Sequence, residues 1–192
     1  MIDFTFYFGL GWGHIISREA ADHILFIIAL AAIYKLTDWK KLLILITAFT
    51  VGHSLTLALS VYDVVRVKNN WVEFLIPVTI MATATFNVLQ KKINPSSLRL
   101  NYFLALFFGL IHGLGFANTI RFMLAKKEAI GIPLFGLNVG LEFGQLLIVT
   151  LMLLCSYVFI NKIAVRQQWW IWIWSAIPFL VGCYMAATRF PV

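Results

Sequence analysis

Long apolar runs separated by short charged clusters set the pattern of this chain. The runs cover Asp22–Leu36, Leu42–Tyr62, Trp71–Gln90, Asn101–Leu124, Leu134–Ile160 and Trp169–Thr188. Most reach the roughly 20 residues that cross a bilayer as a helix. Asp38-Trp39-Lys40-Lys41, Lys91-Lys92 through Asn94-Pro95, and Lys126-Lys127 break them. Trp39, Trp71, Trp169 and Trp170 stand at run ends, where an amphipathic ring favours the headgroup region. Residues 4–16, FTFYFGLGWGHII, are apolar but too short to span, and Gly9, Gly11 and Gly13 weaken them as a helix. The pattern predicts an all-α integral membrane protein. Its bundle holds about six transmembrane helices, preceded by a short interfacial or re-entrant segment.

Composition removes the alternatives. Of 192 residues, 61% are apolar and 12% charged, against about 45–50% and about 25% in a soluble domain. A soluble fold of this size could not hide that much apolar surface, so a soluble enzyme, a disordered tail and a disulfide scaffold are excluded. The length fits a single transmembrane domain over residues 1–192 with no extra soluble domain. The net charge of +7 does not point to nucleic acid. Lys and Arg cluster between the apolar runs, where they meet lipid headgroups. Cys155 and Cys183 each sit alone in an apolar run and read as small buried residues rather than a disulfide. No cleaved signal peptide is expected, because no basic segment leads into a short apolar stretch and a small-residue cleavage site. Lys35, Lys40, Lys41, Lys91, Lys92, Arg99, Lys162 and Arg166 lie on one side of the bundle. Arg18, Arg66, Lys68, Arg121, Lys126, Lys127 and Arg189 lie on the other. This small excess predicts both termini outside the cytoplasm.

Ionisable groups inside a membrane are costly and suggest function by default. The chain has four histidines, His14, His23, His53 and His112, all in or beside apolar runs. Asp22 and Glu142 join them. His53 and His112 each precede the end of a run that points the same way, and Asp22, His23 and Glu142 sit near starts from that side. All five are therefore expected at similar depth in one leaflet. A continuous helix would hold His14 about 12 Å from Asp22 along its axis, so a shared site requires a bend within residues 17–20. The expected metal ligands are His14, Asp22, His23, His53, His112 and Glu142. Thr50, Ser54, Asn138 and Gln145 are the candidates to hydrogen-bond and orient them.

The run that carries Glu142 has two faces. Gly136, Gly140 and Gly144 recur every four residues and read as a packing stripe. Asn138, Glu142 and Gln145 lie roughly opposite. Burial on both sides predicts a central helix. A short echo, Phe49-x-x-x-His53-Ser-Leu and Phe108-x-x-x-His112-Gly-Leu, links two other runs. The 17 phenylalanines read as lipid-facing bulk.

The combination resembles the HupE/UreJ family of small bacterial membrane proteins. The likeness rests on His14…Asp22-His23-Ile-Leu-Phe and Thr47-Ala-Phe-Thr-Val-Gly-His53-Ser-Leu-Thr-Leu-Ala-Leu. It continues in Phe108-Gly-Leu-Ile-His112-Gly-Leu-Gly-Phe-Ala and Asn138-Val-Gly-Leu-Glu142-Phe-Gly-Gln145. The chain looks like the second, broader branch. Two features depart from the family pattern: the spacing from His14 to Asp22, and Phe86 before Asn87 where an acidic residue is expected. The resemblance implies nickel or cobalt handling, as a permease or as an accessory protein that serves hydrogenase or urease maturation.

The function expected is a transition-metal-binding membrane protein for Ni, Co or Zn, with lipid, the metal ion and metalloenzyme maturation proteins as partners and no nucleic acid. The alternative is an intramembrane zinc hydrolase, in which three histidines and a carboxylate hold the metal and a second carboxylate acts as base. A line of polar residues in the opposite leaflet would favour transport. Only Asn87 and Thr85 suggest themselves there.

Overall fold

The computed structural model describes residues 2–17, 20–90, 95–124 and 130–191. Seven α-helices and no strands occur among them: α1 (Ile2–Ile16), α2 (Ala21–Ala31), α3 (Trp39–Val61), α4 (Asn69–Leu89), α5 (Pro95–Leu124), α6 (Gly131–Tyr157) and α7 (Gln167–Thr188). A 3-10 turn at Leu36–Asp38 leads into α3, and a π turn at Val158–Lys162 extends α6. The helices α3, α4, α5, α6 and α7 are each long and apolar enough to cross a membrane. Helix pattern and bundle agree with the apolar runs. The clusters Lys91–Asn94 and Lys126-Lys127 lie outside the described residues.

The first crossing differs from the expected one. Residues 2–16 form a regular 15-residue helix, not a weak interfacial segment, and α2 stops after 11 residues rather than continuing to Leu36. Both lie along α6 in one direction. Phe4 meets Gly136, Phe8 and Trp12 meet Gly140, Ile15 meets Gly144, and the Tyr34 carbonyl lies 3.5 Å from Ser156 Oγ. At 1.5 Å per residue the two helices measure roughly 22 and 16 Å. Together they cover about the depth of one hydrocarbon core of about 30 Å. The first crossing is thus a helix broken in the middle, with His14 in the last turn of one half and Asp22 in the first turn of the other.

Glycine explains the closest approaches. The stripe Gly136, Gly140, Gly144 carries α1, as packing requires. A Cβ on Gly140 would collide with the Phe8 carbonyl, and one on Gly11 with the Leu137 carbonyl. Helices α3 and α5 pack in the same way and run parallel: Gly52 faces Leu106, Gly109 faces Phe49, and Gly113 faces the His53 backbone. Their far ends are tied where Arg121 Nη2 donates to Asp63 Oδ1 at 2.6 Å. Asp63 turns the chain with φ of 63°, and the guanidinium of Arg66 beside it holds its carboxyl below the usual range. Helix α4 runs antiparallel to α7, with Gly182 against Pro77 and Asn87 against Ser175. The core between these pairs is filled by Phe26, Ile27, Leu45, Ile46, Phe49 and Ile80, all fully buried. Phenylalanine is therefore split: Phe103, Phe107, Phe135 and Phe143 face outward, while Phe26 and Phe49 belong to the core around the histidines.

Candidate metal centre

The break between α1 and α2 faces α3 and α5, and the four histidines meet there. The ring of His23 has its centroid 4.8 Å from that of His14, 5.8 Å from His53 and 5.0 Å from His112. One ring nitrogen from each of His14, His23 and His53 lies within 4.8 Å of the others. His53 is at the point where Gly113 lets α5 touch α3, which is why a histidine on each helix reaches one place. Phe116 stacks on His14 at 3.7 Å, and Phe26 and Phe49 approach His112 at 5.1 and 5.2 Å, so aromatic rings wall the cluster.

The ring nitrogens are the chemical feature of the site. Nε2 of His14, Nε2 of His23, both nitrogens of His53 and Nδ1 of His112 are buried without a partner among the described residues. A buried polar atom left unpaired costs about 1–3 kcal/mol, so five together are an expensive arrangement unless something binds them. Divalent metals bind neutral imidazole at about 2.0–2.2 Å. The three rings of the close group would then draw together by roughly an ångström.

Hydrogen bonds fix which nitrogens stay free. Asp22 Oδ1 accepts from the backbone N–H of His23 at 2.9 Å and lies 3.1 Å from His23 Nδ1. A carboxylate can only accept here, so Nδ1 carries the proton and Nε2 presents its lone pair to the cluster. Thr79 Oγ1 donates to the Ile76 carbonyl at 2.7 Å and lies 3.0 Å from His112 Nε2. Its single proton is spent on Ile76, so it accepts from His112 Nε2–H, and His112 Nδ1 is the lone-pair atom. Thr79→Val should leave His112 Nε2 buried without a partner, lowering stability by about 1–3 kcal/mol, and release the imidazole proton from its fixed place on Nε2. Thr79→Ser should restore both. Thermal unfolding and imidazole 15N shifts read the two effects, and an unchanged tautomer in the valine variant would remove Thr79 from this role.

The carboxylates stand differently. Asp22 meets the cluster through His23, and its other oxygen faces Arg189 Nη1 at 3.5 Å. Glu142 is not in the close group. Its Oε1 accepts from Thr47 Oγ1 at 2.9 Å, across the α3–α6 contact. The polar residues expected to hold the imidazoles are engaged elsewhere. Thr50 Oγ1 donates to Gln145 Oε1 at 2.9 Å, Ser54 Oγ to the Thr50 carbonyl at 2.6 Å, and Asn138 Nδ2 to the Leu134 carbonyl at 2.9 Å. Residues that sequence reasoning missed take those places: Thr79 on His112, Phe116 on His14 and Arg189 on Asp22. Nothing in the pattern separated Thr79 from other membrane threonines that bond their own helix.

A family model with the description HupE / UreJ protein matches residues 1–189. No curated protein and no solved structure matches the chain.

Proposed function

The chain belongs to the HupE/UreJ family; from that premise we propose that it binds a divalent transition metal inside the membrane and passes it across, as a nickel or cobalt permease or a metal-delivery protein of metalloenzyme maturation. One observation carries this reading: buried ring nitrogens from α1, α2, α3 and α5, unpartnered among the described residues, converge at the break in the first crossing. Imidazole suits nickel, cobalt and zinc. His14, His23 and His53 hold the ion, His112 offers Nδ1 beside them, and Asp22 sets the tautomer of His23. Arg189 neutralises the outer oxygen of Asp22 and keeps that carboxylate from being an unpaired charge at depth. The protein works in the bacterial inner membrane with both termini outside the cytoplasm.

Transport is favoured over hydrolysis by what lies on either side. A hydrolase needs a base next to the metal-bound water, and Glu142 is bonded to Thr47 instead. Beyond the histidines, α4 offers Thr83 and Asn87, buried polar residues that continue along one edge from Thr79. The test is uptake of Ni2+ or Co2+ into vesicles carrying the purified chain, together with metal content after purification without an affinity metal column. Uptake that is no faster than in empty vesicles defeats the permease reading. Glu142→Gln should keep the bound metal, because Glu142 stands outside the three-histidine group. Metal loss on that substitution would place Glu142 in the ligand set.

A further inference from the structure

On the side away from the termini, a cleft of about 760 Å³ opens where α2 and α4 have ended and α7 begins. Its wall has an apolar part, with Ile33, Val88 and Ile171, and a polar part, with Lys35, Lys41 and Gln168. The two parts differ in depth. Ile33 and Val88 come before Lys35 and Gln90 on chain segments that are leaving the bundle, and Ile171 comes after Gln168 on a helix that is entering it. The apolar part therefore faces the hydrocarbon side and the polar part the surface. Trp39, Trp169 and Trp172 are exposed at this end of the bundle, as rings at the headgroup level are.

The polar part is cationic. Two lysines stand in the wall against one carboxylate, Asp38, and that carboxylate is taken. Its Oδ1 accepts from Lys41 Nζ at 2.6 Å, and its Oδ2 accepts from the Lys35 backbone N–H at 3.4 Å. The Lys35 ammonium has no ion-pair partner among the described residues. Lys41 has given one of its three N–H groups to Asp38. Helix α7 starts in the same wall, so the partial positive charge of its amide end adds to the lysines. A cation is repelled here and an anion attracted.

We propose that this cleft seats the phosphodiester headgroup of an anionic phospholipid. Lys35 and Lys41 hold the phosphate, and Ile33, Val88 and Ile171 lie against the first carbons of the chains. Basic recesses between membrane helices bind anionic headgroups in this way. The apolar part and the width of the cleft select a lipid over free phosphate, which would use neither.

The experiment titrates the detergent-solubilised full chain with phosphatidylglycerol and with phosphatidylcholine of the same chains, counting bound lipid by native mass spectrometry. Phosphatidylglycerol should fill one site at least about tenfold more tightly than phosphatidylcholine. Lys35→Gln should weaken it about fivefold, the loss expected for one interfacial charge. Lys41→Gln should cost more, because Asp38 is then left without its cation, and Asp38→Asn should tighten binding. Lys40→Gln is the control: Lys40 lies over the Trp39 ring at 5.5 Å, outside the cleft wall, and its loss should leave the affinity unchanged. Equal binding of the two lipids, or a Lys40→Gln loss as large as that of Lys35→Gln, overturns the cleft in favour of general surface attraction. Displacement of phosphatidylglycerol by an equal concentration of inorganic phosphate, or of an acidic peptide, overturns the lipid as its occupant.

Discussion

His23→Ala should abolish tight metal binding and with it the stabilisation that a bound metal gives the fold. His23 is the centre of the cluster, next to all three other histidines. It is also the one held by Asp22. Removing it takes away a ligand and the contact through which Asp22 acts. Loss of an orienting partner alone costs about 10–100-fold in affinity, which is the effect expected for Asp22→Asn, and His23→Ala should exceed it. The stability arm follows from linkage, since an ion that binds only the folded chain stabilises it. At 100 times its dissociation constant an ion stabilises the fold by about 2.7 kcal/mol. That metal-dependent rise in melting temperature should vanish in the variant. Isothermal titration and thermal unfolding with and without Ni2+ or Co2+ check both arms, and wild-type affinity in His23→Ala would end the assignment.

Gly140→Leu should unseat α1 and weaken metal binding from a position that touches no histidine. The Phe8 carbonyl and the Trp12 amide already lie where a side chain on Gly140 would go. Backbone cannot yield as a flexible side chain can, so α1 must lift away from α6. Overpacking of this kind costs about 1–3 kcal/mol and can exceed it. Helix α1 touches α2 only slightly and takes its position from α6, so His14 moves with it. Affinity should fall at least about tenfold, the loss expected when one ligand is misplaced. Gly9→Ala is the control: nothing lies within 4 Å of a Cβ there, and alanine in a helix is favoured over glycine by about 1 kcal/mol. If Gly140→Leu melts and binds like the unaltered chain, the α1–α6 contact does not position the site.

The later crossings were legible because hydropathy and length decide them together, and Asp38 to Lys41 mark a boundary that charge makes plain. The first crossing was not. Gly11 and its neighbours looked like helix weakeners, whereas Gly11 is where α1 touches Leu137 of α6. A contact surface and a helix breaker have the same composition, and only the partner tells them apart. The site was legible where chemistry is costly. Imidazoles in apolar runs and the pair Asp22-His23 are conspicuous, and the required bend after His14 follows from helical rise alone. Thr79 was illegible because a membrane threonine normally bonds its own helix, and Thr79 does that as well as meeting His112. Glu142 was conspicuous for its charge, yet Thr47 supplies a partner that spacing along one chain does not reveal. Arg189 looked like a headgroup anchor, because the reach of its side chain to Asp22 depends on how α7 leans against α2.

The interruption between Ile16 and Ala21 also has an electrostatic consequence. A helix carries a partial negative charge of about half an electron at its carbonyl end and the opposite at its amide end. An uninterrupted crossing would keep both ends at the membrane surfaces. Cutting it in two brings the carbonyl end of α1 to the depth of the histidines, beside His14. It also brings the amide end of α2, where Asp22 offsets the positive pole. The backbone thus places a fixed negative pole near the place where four imidazole rings meet. A cation there is favoured without burying another carboxylate in lipid.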